Sequence, residues 1–154
     1  MITEIFILLT VYQIKHFLAD FPLQGKYMMG KFKSKDWALP LAAHCGVHAF
    51  FTFIIVLLYY FYYTHHFFMW PMALGLAVFD FSVHFVVDRI KASPNLLGRY
   101  EALSKAEFIP VIKQLSFNNK AKAQLRSNTL FWWSLGADQM AHHLTNYFII
   151  WCLL

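Results

Sequence analysis

His16-Phe17-Leu18-Ala19-Asp20 lies inside an otherwise apolar segment. A histidine and a carboxylate four residues apart share one face of a helix. Ionisable groups within a membrane are expensive enough that they mark function by default. The same spacing recurs as His44/His48, as Asp80/His84/Asp88 and as Asp138/His142, each in a different apolar segment. These stripes predict one polar site built at the centre of a helix bundle.

Composition sets the class. Of the 154 residues, 59% are hydrophobic, 19% aromatic and only 14% charged, whereas soluble chains carry about 25% charged residues. The chain reads as a single integral membrane domain. No basic region precedes its first apolar stretch and no small-residue cleavage site follows, so that stretch is expected to be a retained span, not a signal peptide. Cys45 and Cys152 fall in different apolar segments and imply no disulfide framework. The net charge of +5 is distributed as in a membrane protein, and no nucleic-acid partner is expected.

Spans are expected at about 3–22, 39–63, 70–90 and 129–153, near the roughly 20 residues needed to cross a bilayer. Pro71 suits a first helical turn, and Ser127/Asn128 are good capping residues. Lys and Arg concentrate in and beside 23–38 and 91–128. By the positive-inside rule these loops are cytoplasmic, with both termini and the 64–70 turn outside. A bacterial inner membrane is the expected location. In 91–128, Leu96, Leu97, Tyr100 and Leu103, then Phe108, Ile109, Ile112 and Leu115, fall at near-helical spacing between basic residues. This predicts cytoplasmic amphipathic helices on the inner leaflet, interrupted near Pro110. The expected fold is thus an all-α four-transmembrane-helix bundle with a cytoplasmic amphipathic segment.

This topology puts the polar stripes at matched depth in the cytoplasmic half, each four-residue step spanning about 6 Å. Histidine with carboxylate suits Zn, Fe, Mn, Co or Ni better than Ca or Mg. The candidate metal ligands are His16, His44, His48, Asp80, His84, Asp88 and His142, with Asp20 and Asp138 as candidate catalytic carboxylates. The set exceeds the three or four ligands of one zinc. The site is therefore either binuclear or backed by carboxylates that orient the histidines. His44, His48, His84 and Asp88 are the expected direct ligands, and Asp80, the deepest, also fits a proton-transfer group. His44/His48 alone favours a metal pair, whereas Asp80/His84/Asp88 alone is equally compatible with an interhelical hydrogen-bond network, and His16/Asp20 and Asp138/His142 with internal carboxylate–imidazole pairs. Lys15 and Arg89 would by default snorkel to the interface, and Asp88 could pair with either. Gln24 and Gln139 could hydrogen-bond a substrate or a ligand histidine, and His143 is expected beside the site, not in it.

The string His16-Phe-Leu-Ala-Asp20-Phe-Pro-Leu-Gln24, with the His44/His48 pair, the Asp80–His84–Asp88 run and Asp138-Gln139-x-x-His142-His143, resembles a family of small polytopic integral membrane proteins of bacteria and their phages. That family is catalogued only as a domain of unknown function, and the resemblance implies no activity. Histidine- and aspartate-rich spans are also similar to those of membrane-bound metal-dependent hydrolases and the ceramidase–receptor superfamily, which have more spans. The His44/His48 pair resembles one box of the membrane di-iron desaturases, whose full set of histidine boxes is absent.

Three functions fit. The first is metal-dependent hydrolysis, with zinc as the expected ion, of a lipid-like or amphiphilic substrate from the cytoplasmic side. The second is a carrier or channel for divalent metal or protons through the same residues. The third is a non-catalytic membrane interaction protein. The outer halves of the spans, such as Phe50–Leu58 and Phe148–Leu154, are almost wholly apolar and aromatic, which favours a dead-end site over a path. Homo-oligomerisation is compatible with each function.

Overall fold

The computed structural model describes residues 2–64, 69–93, 96–97 and 129–154, and over these it is helical with no strand. The long helices are α1 (Ile2–Asp20), α2 (Ala38–Tyr59), α3 (Trp70–Ala92) and α4 (Thr129–Leu153). They lie close to the segments expected from hydropathy. α1, α2 with its continuation to Tyr63, and α3 are long and apolar enough to cross a membrane. α4 is of similar length, at 25 residues. Pro71 stands in the first turn of α3, where its missing N–H leaves no bond unmade. α2 ends in a π-helical turn, Tyr60–Thr64, within the tyrosine cluster.

The helices close into a ring in which α1 packs on α2, α2 on α3, α3 on α4 and α4 on α1. We call the end holding the C-termini of α1 and α3 the basic end, and the opposite one the tyrosine end. At the tyrosine end the interior is apolar: Leu8, Val56, Leu76, Ile149 and Leu153 pack with Tyr59 and Tyr60. Toward the basic end the interior turns polar while the exterior stays apolar. His48, Asp80, His84 and Asn146 are 0% exposed, whereas Phe17 is 57%, Phe50 61%, Val86 57% and Leu144 57% exposed. Soluble domains do not present so continuous an apolar coat to water, so the pattern fits a lipid surround.

The connection between α1 and α2, expected as a plain polar loop, contains a 3₁₀ helix at Met28–Phe32. Gly30 permits its close approach to the start of α2, because a Cβ there would sit 2.8 Å from Pro40 Cγ and 3.0 Å from Pro40 Cβ. Asp36 then turns the chain into α2 at φ 56°, a left-handed conformation that Asp tolerates better than most residues. This seating turns Lys31 inward, where it is buried. The amphipathic helices expected over 91–128 fall almost entirely outside the described residues, as does the middle of the 64–70 turn.

Candidate metal centre

The polar interior is layered. Beginning at the basic end, polar side chains recur every fourth residue on all the long helices, and all but the half-buried Asp20 are buried: Asp20, His16 and Tyr12 on α1; His44, His48 and Thr52 on α2; Asp88, His84 and Asp80 on α3; Asp138, His142 and Asn146 on α4. A four-residue step keeps each stripe on one face and moves it about 6 Å along the axis. The layer nearest the basic end is Asp20, His44, Asp88 and Asp138. The middle layer is a histidine from every helix, and the innermost is Tyr12, Thr52, Asp80 and Asn146. One more step reaches Leu8, Val56, Leu76 and Ile150, within the apolar cluster.

Three lysines enter this column, each on a different aspartate. Lys15 Nζ donates to Asp80 Oδ2 at 2.7 Å, and Lys31 Nζ donates to Asp88 Oδ2 at 2.7 Å. Lys91 donates to Asp138. Pairing a buried carboxylate is necessary, since an isolated charge in a low-dielectric interior costs several kcal/mol. Asp20 differs: among the described residues its carboxylate meets imidazoles and no lysine. His48 Nε2 lies 3.0 Å and His44 Nε2 3.4 Å from its Oδ1, with His16 Nε2 3.2 Å from its Oδ2.

The middle layer brings four rings together. Centroids lie 3.9 Å apart for His48–His84, 4.1 Å for His84–His142, 5.5 Å for His16–His142 and 5.7 Å for His16–His48. Each ring uses one nitrogen on an acceptor and leaves the other buried without a partner. His84 Nδ1 faces the Asp80 carbonyl oxygen at 2.9 Å and its Oδ1 at 3.0 Å. Two acceptors require the hydrogen on Nδ1, so Nε2 is a bare, buried lone pair. His16 Nε2 faces Gln139 Oε1 at 3.0 Å as well as Asp20, and Gln139 is held in that orientation by its own bond to Asp138. His48 Nε2 faces Asp20, and His142 Nε2 faces Asp88 Oδ1 at 3.2 Å. In these three rings the unpartnered atom is Nδ1.

Three sets of side chains offer ligand atoms within 4.8 Å of one another and could hold a metal ion: His16/His48/His84, Asp20/His44/His48 and Asp88/Asp138/His142. The first is all nitrogen, with a hydrogen-bond acceptor behind every ring, the arrangement that fixes tautomers in metal-binding histidines. The third has both of its carboxylates already matched by Lys31 and Lys91.

Every candidate metal ligand and catalytic carboxylate named from the sequence falls in this column. The expected direct-ligand set His44, His48, His84 and Asp88 is divided: His84 sits with His16, His44 with Asp20, and His48 belongs to both groups. Asp80 is occupied by Lys15, His84 and the Thr52 hydroxyl at 2.6 Å, so it orients His84. Asp88 pairs with Lys31 and neither Lys15 nor Arg89; Arg89 instead stacks over Trp37, 3.6 Å from the ring centroid. Lys15 is buried at 3% exposure and does not snorkel. Gln139 meets His16 as expected, whereas Gln24 bonds Met29 Sδ outside the column. His143 lies beside the site, its Nδ1 3.3 Å from Gln13 Nε2. Sequence reasoning missed Tyr12, Thr52, Asn146, Lys31 and Lys91. The first three continue the four-residue stripes, which was the available signal.

A groove of about 400 Å³ runs between α3 and α4 at the basic end. Val87, Ile90, Leu97, Trp133 and Ala137 make it apolar, and Lys91 and Asp138 form its polar wall. It is bordered by Asp138, a carboxylate of the layer nearest the basic end. No protein-family model matches the chain, and no curated protein or solved structure matches it.

Proposed function

We infer that the protein is a membrane-embedded, metal-dependent hydrolase of lipid-like or amphiphilic substrates. The observation that carries this reading is the His16/His48/His84 group, whose rings bring ligand nitrogens within 4.8 Å of one another and each keep one buried nitrogen without a partner. Three protein ligands with a position left open is the pattern of catalytic zinc sites, and three histidines are one of its common forms. An ion held there supplies Lewis acidity and makes a water nucleophilic near neutral pH. Asp20, hydrogen-bonded to His48 and close to His16 and His44, orients these rings. Asp138, the carboxylate lining the groove, is assigned as the final proton acceptor through His142: the free His142 Nδ1 would take the water's proton and its Nε2 hydrogen would pass to Asp138 Oδ1, 3.5 Å away. The α3–α4 groove admits an acyl chain sideways, bringing the scissile group to the column from the lipid.

α4 is read as a fourth span because its outward residues Trp133, Met140, Leu144 and Trp151 are as exposed and apolar as those of the other helices. The lysines and arginines of the loops support a reading in which the basic end, and hence the site, faces the cytoplasm at a bacterial inner membrane. The apolar cluster beyond Tyr12, Thr52, Asp80 and Asn146 closes the column, which favours an enzyme over a carrier.

The test is metal analysis of detergent-purified wild type against His48→Ala and His84→Ala. It is followed by hydrolysis assays on long-chain esters, amides and phosphoesters with and without chelator. Metal in the wild type, its loss in both variants and chelator-sensitive turnover are expected. A wild type that neither retains nor takes up transition metal overturns the reading.

A further inference from the structure

We propose that the protein binds two transition-metal ions, the second held by Asp20, His44 and His48, with the His48 imidazole shared between the two positions. The inference rests on the first position being the His16/His48/His84 group.

Charge argues first. Asp80, Asp88 and Asp138 each have a lysine, whereas the Asp20 carboxylate has only imidazoles among the described residues. With those imidazoles neutral, Asp20 is the unbalanced negative charge of the column. It is also the most accessible of the four carboxylates, its side chain being 15% exposed against 0%, 5% and 3% for Asp80, Asp88 and Asp138. A cation arriving from the basic end meets it first.

Geometry argues next. His48 Nε2 and His44 Nε2 lie 3.0 and 3.4 Å from one oxygen, Asp20 Oδ1. Ligand bonds of about 2.0–2.1 Å around a tetrahedral zinc place neighbouring ligand atoms about 3.3 Å apart. These separations therefore suit atoms sharing an ion as well as atoms sharing a proton. His44 Nε2 is also 3.1 Å from Asp88 Oδ2, so an ion bound at that nitrogen replaces its contacts with both carboxylates, while His44 Nδ1 keeps no partner.

His48 joins the two positions. Its Nε2 faces Asp20, while its Nδ1 is fully buried, without a partner, on a residue of the deeper triad. The two nitrogens of one imidazole face away from each other, so one ring reaches both ions. When both positions fill, Nε2 gives up its hydrogen to solvent and the ring bridges as an imidazolate. The ligand chemistry, imidazole with one carboxylate, selects Zn, Cu, Co or Ni over Mg and Ca.

Copper(II) loading of the detergent-purified full chain tests this through metal content and electron spin resonance together. The wild type should hold two coppers per chain, with an integrated spin count well below two, because an imidazolate bridge couples them. His44→Gln and Asp20→Asn should each hold one copper with one full spin and nitrogen hyperfine structure. His84→Gln should likewise fall to one. Two coppers with full, uncoupled spin would overturn the sharing of His48. One copper in the wild type, retained in His44→Gln and lost in His84→Gln, would overturn the second position and leave the hydrolase reading standing. No copper or zinc at all would remove both. Circular dichroism and a monodisperse elution profile of each variant separate loss of a ligand from loss of the fold.

Discussion

Lys15 and Asp80 meet at 2.7 Å between the C-terminal third of α1 and the middle of α3, with side chains only 1% and 0% exposed. Removing one partner leaves the other charge buried and alone, which costs about 3–5 kcal/mol. Lys15→Met should therefore lower thermal stability in detergent sharply. The double variant Lys15→Met/Asp80→Asn should recover most of the loss. Equal stabilities for the single and double variants would show that the pair does not hold α1 against α3.

Thr52 tests the same carboxylate more gently. Its hydroxyl donates to Asp80 Oδ2 at 2.6 Å from a fully buried position. A hydrogen bond to a charged group contributes about 1.5–3 kcal/mol, so Thr52→Val should cost that much in denaturation midpoints while retaining metal.

Gly30 seats the 3₁₀ helix on Pro40, and Lys31 reaches Asp88 only because of that seating. Gly30→Val should cost about 1–3 kcal/mol through overpacking. It should also raise the reactivity of Lys31 toward an amine-modifying reagent, read by mass spectrometry. Unchanged labelling would mean that the ammonium stays inside without the close approach.

The groove between α3 and α4 predicts a chain-length effect. Ala137→Trp fills it beside Trp133 and Ile90. Turnover of long-chain amphiphilic substrates should fall at least about tenfold, which corresponds to about 1.4 kcal/mol, with short-chain turnover and metal content near wild type. Equal losses for both chain lengths would remove the groove as the route in.

Acid should strip the metal, since ligand histidines bind only when the coordinating nitrogen is unprotonated. Dialysis at about pH 5 should leave less metal than at about pH 7.5, and restoring the pH with added zinc should refill the protein. Metal content independent of pH over that range would argue against imidazole ligands.

The helices and the His/Asp stripes were legible because both follow from spacing. Apolar runs of span length announce α1, α2 and α3, and a four-residue step keeps His16 under Asp20 and His84 under Asp88. Which residues pair across helices was not legible. Lys31 stands in a stretch that reads as solvated loop, and only the Gly30–Pro40 approach turns it inward. Lys15 near the end of an apolar run looks like a snorkelling side chain until Asp80 is found opposite. Tyr12, Thr52 and Asn146 are ordinary uncharged residues in apolar segments, and their place in the stripe emerges only when it is extended by one more turn. The division of the expected ligands, with His48 shared by two groups and Asp88 in a third, depends on ring rotation and side-chain reach, which no spacing encodes.

In all three ion pairs of the column the lysine precedes its aspartate in the chain: Lys15 before Asp80, Lys31 before Asp88, Lys91 before Asp138. An aspartate at the centre of a membrane helix costs about 2.5–3.5 kcal/mol on insertion scales, so α3, with Asp80 and Asp88, is a costly segment to insert alone. During synthesis its cations have already been made and wait on the earlier segments, and Lys91 then waits in turn for α4. The order of the charges along the chain thus gives α3 and α4 cations that are already made, so that in a membrane-inserted bundle each of these two helices would be matched as it arrives.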